Sequence, residues 1–181
     1  HYQVGYMKRH DEGVQLARQW LQDLRQSGEL GPITFARAHC FMGDSYCKAD
    51  GHVVTDEIAE YSDGGWPIAP DDFPPQTAKD FAFYLNTYSH NTNLLRYLMG
   101  HTPSVEHVRF GNRAGRLAVL NFGEFVASLE TGMSSHRSWD EVVEIYFADG
   151  SLTLRTPPAL LKNVPAQVEL YKAGSIQQSI S

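Results

Sequence analysis

A chain of 181 residues, 42% hydrophobic and 20% charged, has the composition of an ordinary globular protein and is long enough to bury about 70% of its unfolded surface as one domain. The formal net charge is −6 and the 15 basic residues are scattered rather than striped, which removes the electrostatic footprint of a nucleic-acid binder. No apolar run approaches the ~18 residues of a membrane span, and the opening HYQVGYMKRH lacks the apolar stretch of a signal peptide, so a cytoplasmic protein without a membrane partner is expected.

Tyr2 to Met7 is apolar and aromatic and reads as a strand. No turn or cap precedes it, as if the chain were cut from a longer polypeptide. Asp11 then offers an N-cap, and Val14, Ala17, Trp20, Leu21 and Leu24 recur at helical spacing until Ser27-Gly28. After the turn GELGP, Ile33 to Met42 is rich in β-branched and aromatic residues and predicts a strand. Cys40 and Cys47 enclose six residues, with His39 and His52 nearby. That spacing matches no zinc pattern, so two reduced thiols and no metal are expected.

From Gly43 to Pro75 the periodicity is lost among glycines, prolines and acids, a loop long enough to suggest either partner contact or a surface insertion. Ala78 to Met99 predicts one helix, with Phe81, Tyr84, Leu85, Tyr88, Leu94, Leu95 and Leu98 on one face and Gly100 as the stop. The period then changes to two: 104–110, 116–122, 125–130, 141–147, 151–155 and 166–171 predict short strands. Asn112, Gly123, Gly132 and Asp149-Gly150 mark the turns between them, and the tail AGSIQQSIS reads as frayed or as an edge strand. Strands joined by tight turns pair antiparallel. The expected fold is therefore α+β, a mostly antiparallel open sheet with helices on one face and the other face free for a partner or ligand.

Several chemistries lack their anchors. There is no G-x-G-x-x-G after a strand, no P-loop, no H-E-x-x-H and no G-x-S-x-G, so nothing here holds a dinucleotide, a nucleoside phosphate or a protease zinc, or supports an acyl-serine. The informative stretch is FYLNTYSHNTNLLRYLMG, residues 83–100. On a single helix Asn86 and His90 share a side, and with Asn93 they could form a small polar site; a structural histidine is the competing reading.

Three stretches resemble the carboxy-terminal domain of the glucose-fructose oxidoreductase, inositol dehydrogenase and rhizopine-catabolism (Gfo/Idh/MocA) oxidoreductases. VGYMKRHDEGVQLARQWLQDLRQSGELGPITFARAH (4–39) is similar to that domain's opening, a strand ending in Lys-Arg, a helix, a turn and a long strand. Residues 85–100 resemble the family helix D-x-G-x-H-x-x-D-x-x-x-x-x-x-G, and WDEVVEIYFADGSLTL (139–154) resembles its late hairpin. The resemblance implies a dihydrodipicolinate-reductase-like fold for residues 1–181 as one substrate-binding and oligomerisation domain. It places the NAD(P)-binding Rossmann domain, with its Glu-Lys-Pro turn, before His1.

By the same resemblance His90 takes the position of the family histidine that meets the substrate hydroxyl and helps move its proton, a role suited to a group titrating near neutral pH. Asn86 stands where many members have Asp and cannot accept a proton, although it could hydrogen-bond a polyol. Asn93, Lys8, Arg9 and His136 are further substrate-side candidates; for Arg9 a tie between strand and helix is the alternative, and for His136, beside Trp139, a surface position at a turn. The implied protein is an NAD- or NADP-dependent oxidoreductase of a sugar, cyclitol or related polyol, assembled as a homo-oligomer through the open sheet face. The rival reading is a non-catalytic binding or assembly module of the same fold.

Overall fold

The computed structural model describes residues 5–43, 56–58, 68–112, 114–134, 139–159, 161, 163–174 and 178–180. Helix α1 (Glu12–Ser27) forms where the apolar spacing predicts it. Asp11 caps it by accepting the Val14 amide at 3.1 Å, and the same carboxylate accepts the Ala166 amide at 3.1 Å, tying the helix start to the far end of the chain. Gly28 closes the helix with φ 66°, a left-handed backbone that glycine adopts without steric cost.

Strand β1 (Ile33–Met42) follows, then helices α2 (Pro75–Asn86) and α3 (Ser89–Met99). The remaining strands are β2 (Ser104–Phe110), β3 (Arg116–Asn121), β4 (Val126–Met133), β5 (Trp139–Phe147), β6 (Gly150–Arg155), β7 (Gln167–Lys172) and β8 (Gln178–Ile180). They form one sheet in the order β2-β3-β4-β1-β5-β6-β7-β8. The fold is α+β, a mostly antiparallel open sheet with its helices on one face, and the tail supplies an edge strand.

Four expectations need correction, the simplest being Gly132, expected at a turn but lying inside β4 opposite Phe41. The meander is not continuous: β4 and β5 are consecutive in the chain but do not pair, because β1 lies between them, parallel to β4 and antiparallel to β5. Inserting β1 gives its inward side chains, Ala36, Ala38 and Cys40, a place in the core. The strand expected over Tyr2 to Met7 is also not found where it can be checked. Met7–His10 is a 3-10 turn held by local bonds, Arg9 N–H to the Tyr6 carbonyl and Asp11 N–H to the Lys8 carbonyl, both 3.2 Å; residues 1–4 lie outside the described residues.

The helix expected from Ala78 to Met99 is two helices, broken at Thr87-Tyr88 with neither glycine nor proline at the break. The cause is tertiary. Tyr88 is 0% exposed and its hydroxyl donates to the Gly132 carbonyl at 2.6 Å, an anchor that outweighs continuing one helical axis. Beyond it Leu94, Leu95, Leu98 and Met99 enter the core with Val14, Ala17, Leu21 and Leu24 of α1 and Val143, Ile145, Leu152 and Leu154 of the sheet. Each large side chain in that layer contributes roughly 1.5–3 kcal/mol of burial.

The opposite face of the sheet has no helix upon it among the described residues. Phe35 pairs in register with Val126 and Tyr146, and all three are more than one third exposed. Arg37 lies beside them, bonded to Glu130 through two 2.8 Å contacts and close to Glu144 at 3.6 Å.

A candidate functional site beside the Met7–His10 turn

Glu141 is the centre of the site. It lies on β5 opposite Cys40 and is 1% exposed. A carboxylate this deep requires partners for both oxygens, and it has them. Asn91 donates its amide to Oε1, while Lys8 and the Trp139 indole, the latter at 2.9 Å, donate to Oε2. The turn Met7–His10 delivers Lys8, α3 delivers Asn91, and the first residue of β5 delivers Trp139, so three distant segments converge on one carboxylate. Burial, with Glu141 across the strand pair, pushes the Cys40 thiol up to about 12, which makes it an inert core residue.

A cleft of about 220 Å³ opens onto this network. Lys8, Asn91, Trp139 and Glu141 form its polar wall, Asn86, Thr87 and His90 its rim, and Met7, Met42 and Ala159 its apolar part. Asn86 and His90 were expected on one side of a single helix; they reach the same cleft from two helices, Asn86 as the last residue of α2 and His90 as the second of α3. The His90 ring stands edge-on to Tyr6 at 5.5 Å, and its buried Nδ1 has no hydrogen-bond partner among the described residues. Burial, aided by the Lys8 charge and opposed by Glu141, lowers its pKa below the ordinary value. The neutral imidazole is thus favoured, the form that can accept a proton.

Asn93 and Arg9 belong elsewhere. Arg9 Nε donates to Asn93 Oδ1 at 2.7 Å and its guanidinium lies 5.1 Å from the centre of the Tyr97 ring, with Arg18 at 4.2 Å from the same ring. These contacts fasten the turn to α3, and both residues line a second, more open cavity of about 610 Å³ with His10 and Arg96. Arg9 thus meets a neutral amide at this contact. His136, Cys47 and His52 lie outside the described residues. Among the described residues, no three His, Cys, Asp or Glu side chains converge as a metal site would require.

The sequence pattern did not single out Glu141 or Asn91. A signal for the first exists: Glu141 falls in phase with Val143, Ile145 and Phe147, the inward positions of β5, and a carboxylate on the apolar phase of a strand needs a partner.

No protein-family model and no curated protein matches the chain. Solved structures do match it. A levoglucosan dehydrogenase in complex with NADH and levoglucosan aligns over 99% of this chain and 46% of its own, at 15% identity and TM-score 0.62. An inositol dehydrogenase homolog from Azotobacter vinelandii in complex with NAD+ aligns over 98% of this chain and 42% of its own, at 12% identity and TM-score 0.61. An oxidoreductase from Pseudomonas syringae aligns over 93% and 39%, at 12% identity and TM-score 0.53. The chain therefore has a fold that these oxidoreductases carry, and it spans less than half the length of each. The resemblance to the Gfo/Idh/MocA carboxy-terminal domain is met in fold. The described residues do not fit a dinucleotide by themselves: α1 begins at Glu12, capped by Asp11 directly after a 3-10 turn, and among the described residues neither α2 nor α3 follows a glycine-rich strand end.

Proposed function

We propose that this chain is the substrate-side and oligomerisation domain of an NAD(P)-dependent oxidoreductase acting on a sugar, cyclitol or related polyol. The observation that carries the reading is the cleft in which His90 stands with a lowered pKa beside Asn86, Thr87 and Lys8. A hydroxyl hydrogen-bonded to His90 gives up its proton most readily when the imidazole is neutral, and Asn86 and Thr87 supply the donors and acceptors that orient neighbouring hydroxyls. NAD or NADP, in this reading, is bound by a preceding nucleotide-binding domain. The fold shared with dehydrogenases in complex with NADH or NAD+ supports that arrangement. The open sheet face, with Phe35, Phe41, Val126 and Tyr146 exposed, is the surface through which copies pair.

The test is His90→Ala in the full-length protein, assayed against a panel of polyols with each nicotinamide. Turnover should fall by about 10²–10⁴-fold, the usual worth of a positioned acid–base group, with the unfolding midpoint little changed. Wild-type rates would remove His90 from the site. A second reading, an assembly module without catalysis, is favoured by one feature, the amide of Asn86 where many family members have a carboxylate. Failure of every polyol in the panel, with the nucleotide bound, would select it.

A further inference from the structure

If the cleft is the substrate site, as the proposed function has it, the charges around it bear on what kind of polyol it takes. Among the described lining residues there is one cation, Lys8, and one anion, Glu141, and they are bonded to each other. Glu141 cannot leave that pairing cheaply, because it is buried and both of its oxygens are occupied within the protein. We propose that Glu141, by holding the Lys8 ammonium, makes the cleft electrically neutral and selects an uncharged polyhydroxylated ligand over its carboxylated or phosphorylated counterpart.

Among the described lining residues a ligand anion entering this space meets no free counter-charge. It must compete with a buried carboxylate for Lys8 or shed its water for amides and a hydroxyl, which stabilise a full charge poorly. His90 offers no relief, since its surroundings disfavour the imidazolium. An uncharged polyol meets groups of its own kind. Its hydroxyls can exchange hydrogen bonds with Asn86, Thr87 and His90, and its C–H surface can lie against Met7, Met42 and the ring of Trp139. Glu141 touches no ligand in this scheme; it is a positioning residue that acts through Lys8 and Trp139.

The test compares methyl glucoside with methyl glucuronide, two rings that differ by one carboxylate, titrated into 15N-labelled protein at constant ionic strength while the Trp139 indole and His90 imidazole resonances are followed. The glucoside should bind at least tenfold more tightly than the glucuronide. Glu141→Gln frees the Lys8 charge and should shrink that preference at least tenfold or invert it. The double variant Lys8→Met/Glu141→Gln, neutral at both positions, should restore it, and it serves as the comparison if the single variant does not fold. Equal or tighter glucuronide binding to the wild type overturns the inference and leaves the cleft as a substrate site. A preference unchanged in folded Glu141→Gln reduces Glu141 to a structural role and overturns it as well. If neither ring moves either resonance, the substrate-site reading fails and this inference with it.

Discussion

The two faces of the sheet handle charge in opposite ways, and neighbouring residues of single strands make the contrast. On β5, Glu141 points to the helices and is 1% exposed, whereas Asp140 points to the open face, its side chain 51% exposed. On β1, Cys40 is buried against the helices while Arg37, on the other face, has a side chain 39% exposed. On the helix face the Lys8–Glu141 pair has every oxygen of its carboxylate satisfied. The open face carries a chain of contacts, Arg37 with Glu130 and Glu144, and Asp140 with His39 and Arg155, among exposed Phe35, Phe41 and Tyr146. The pleat thus sorts similar residues into two energetic regimes: a buried pair is costly to break, and a solvated network is nearly neutral.

Breaking the buried pair should give the largest effect. Glu141→Ala leaves the Lys8 ammonium, the Asn91 amide and the Trp139 indole without their acceptor, and unfolding in urea should show a loss of about 3–5 kcal/mol. A smaller effect follows from His90 on the same face. Its pKa is lowered on folding from an ordinary value of 6.5, so the unfolded chain takes up a proton that the folded chain refuses. Stability should be unaffected well above pH 6.5 and should fall as the pH drops through 6.5 toward the folded pKa. His90→Gln should flatten that part of the curve, measured as the difference between wild type and variant. The smallest effect should come from the open face. Arg37→Met removes contacts to Glu130 and Glu144, yet the cost should be about 0.2–1 kcal/mol and should shrink with added salt. A loss from Arg37→Met as large as that from Glu141→Ala would erase the contrast.

Much of the fold was legible in the sequence because local signals agreed with it. Asp11 and Gly28 bracket α1, and Asp149-Gly150 turns β5 into β6, as their residue types suggest. What stayed hidden depended on distant partners. Nothing within residues 78–99 announces a break at Thr87-Tyr88; the hydroxyl of Tyr88 ends on a carbonyl of β4, which no local pattern reveals. The pairing of β1 between β4 and β5 is equally non-local. Within the candidate site, His90, Asn86 and Lys8 could be named from residue type and family resemblance, and they line one cleft. Asn93 could not be separated from them in advance, because its bond to Arg9 turns on where the 3-10 turn lies. Glu141 announced itself only as a carboxylate among the apolar, inward positions of its strand.

The position of β1 also bears on how the molecule assembles. Phe35 must find Val126, and Ala38 must find Val143, so this early strand waits without neighbours until most of the chain has been made. Hairpins such as β5–β6 can form from nearby residues in microseconds, whereas joining β1 to its neighbours closes long loops and slows folding. During that wait an apolar strand is open to the wrong partners. A product truncated before Val126 would keep β1 and lose every strand that flanks it.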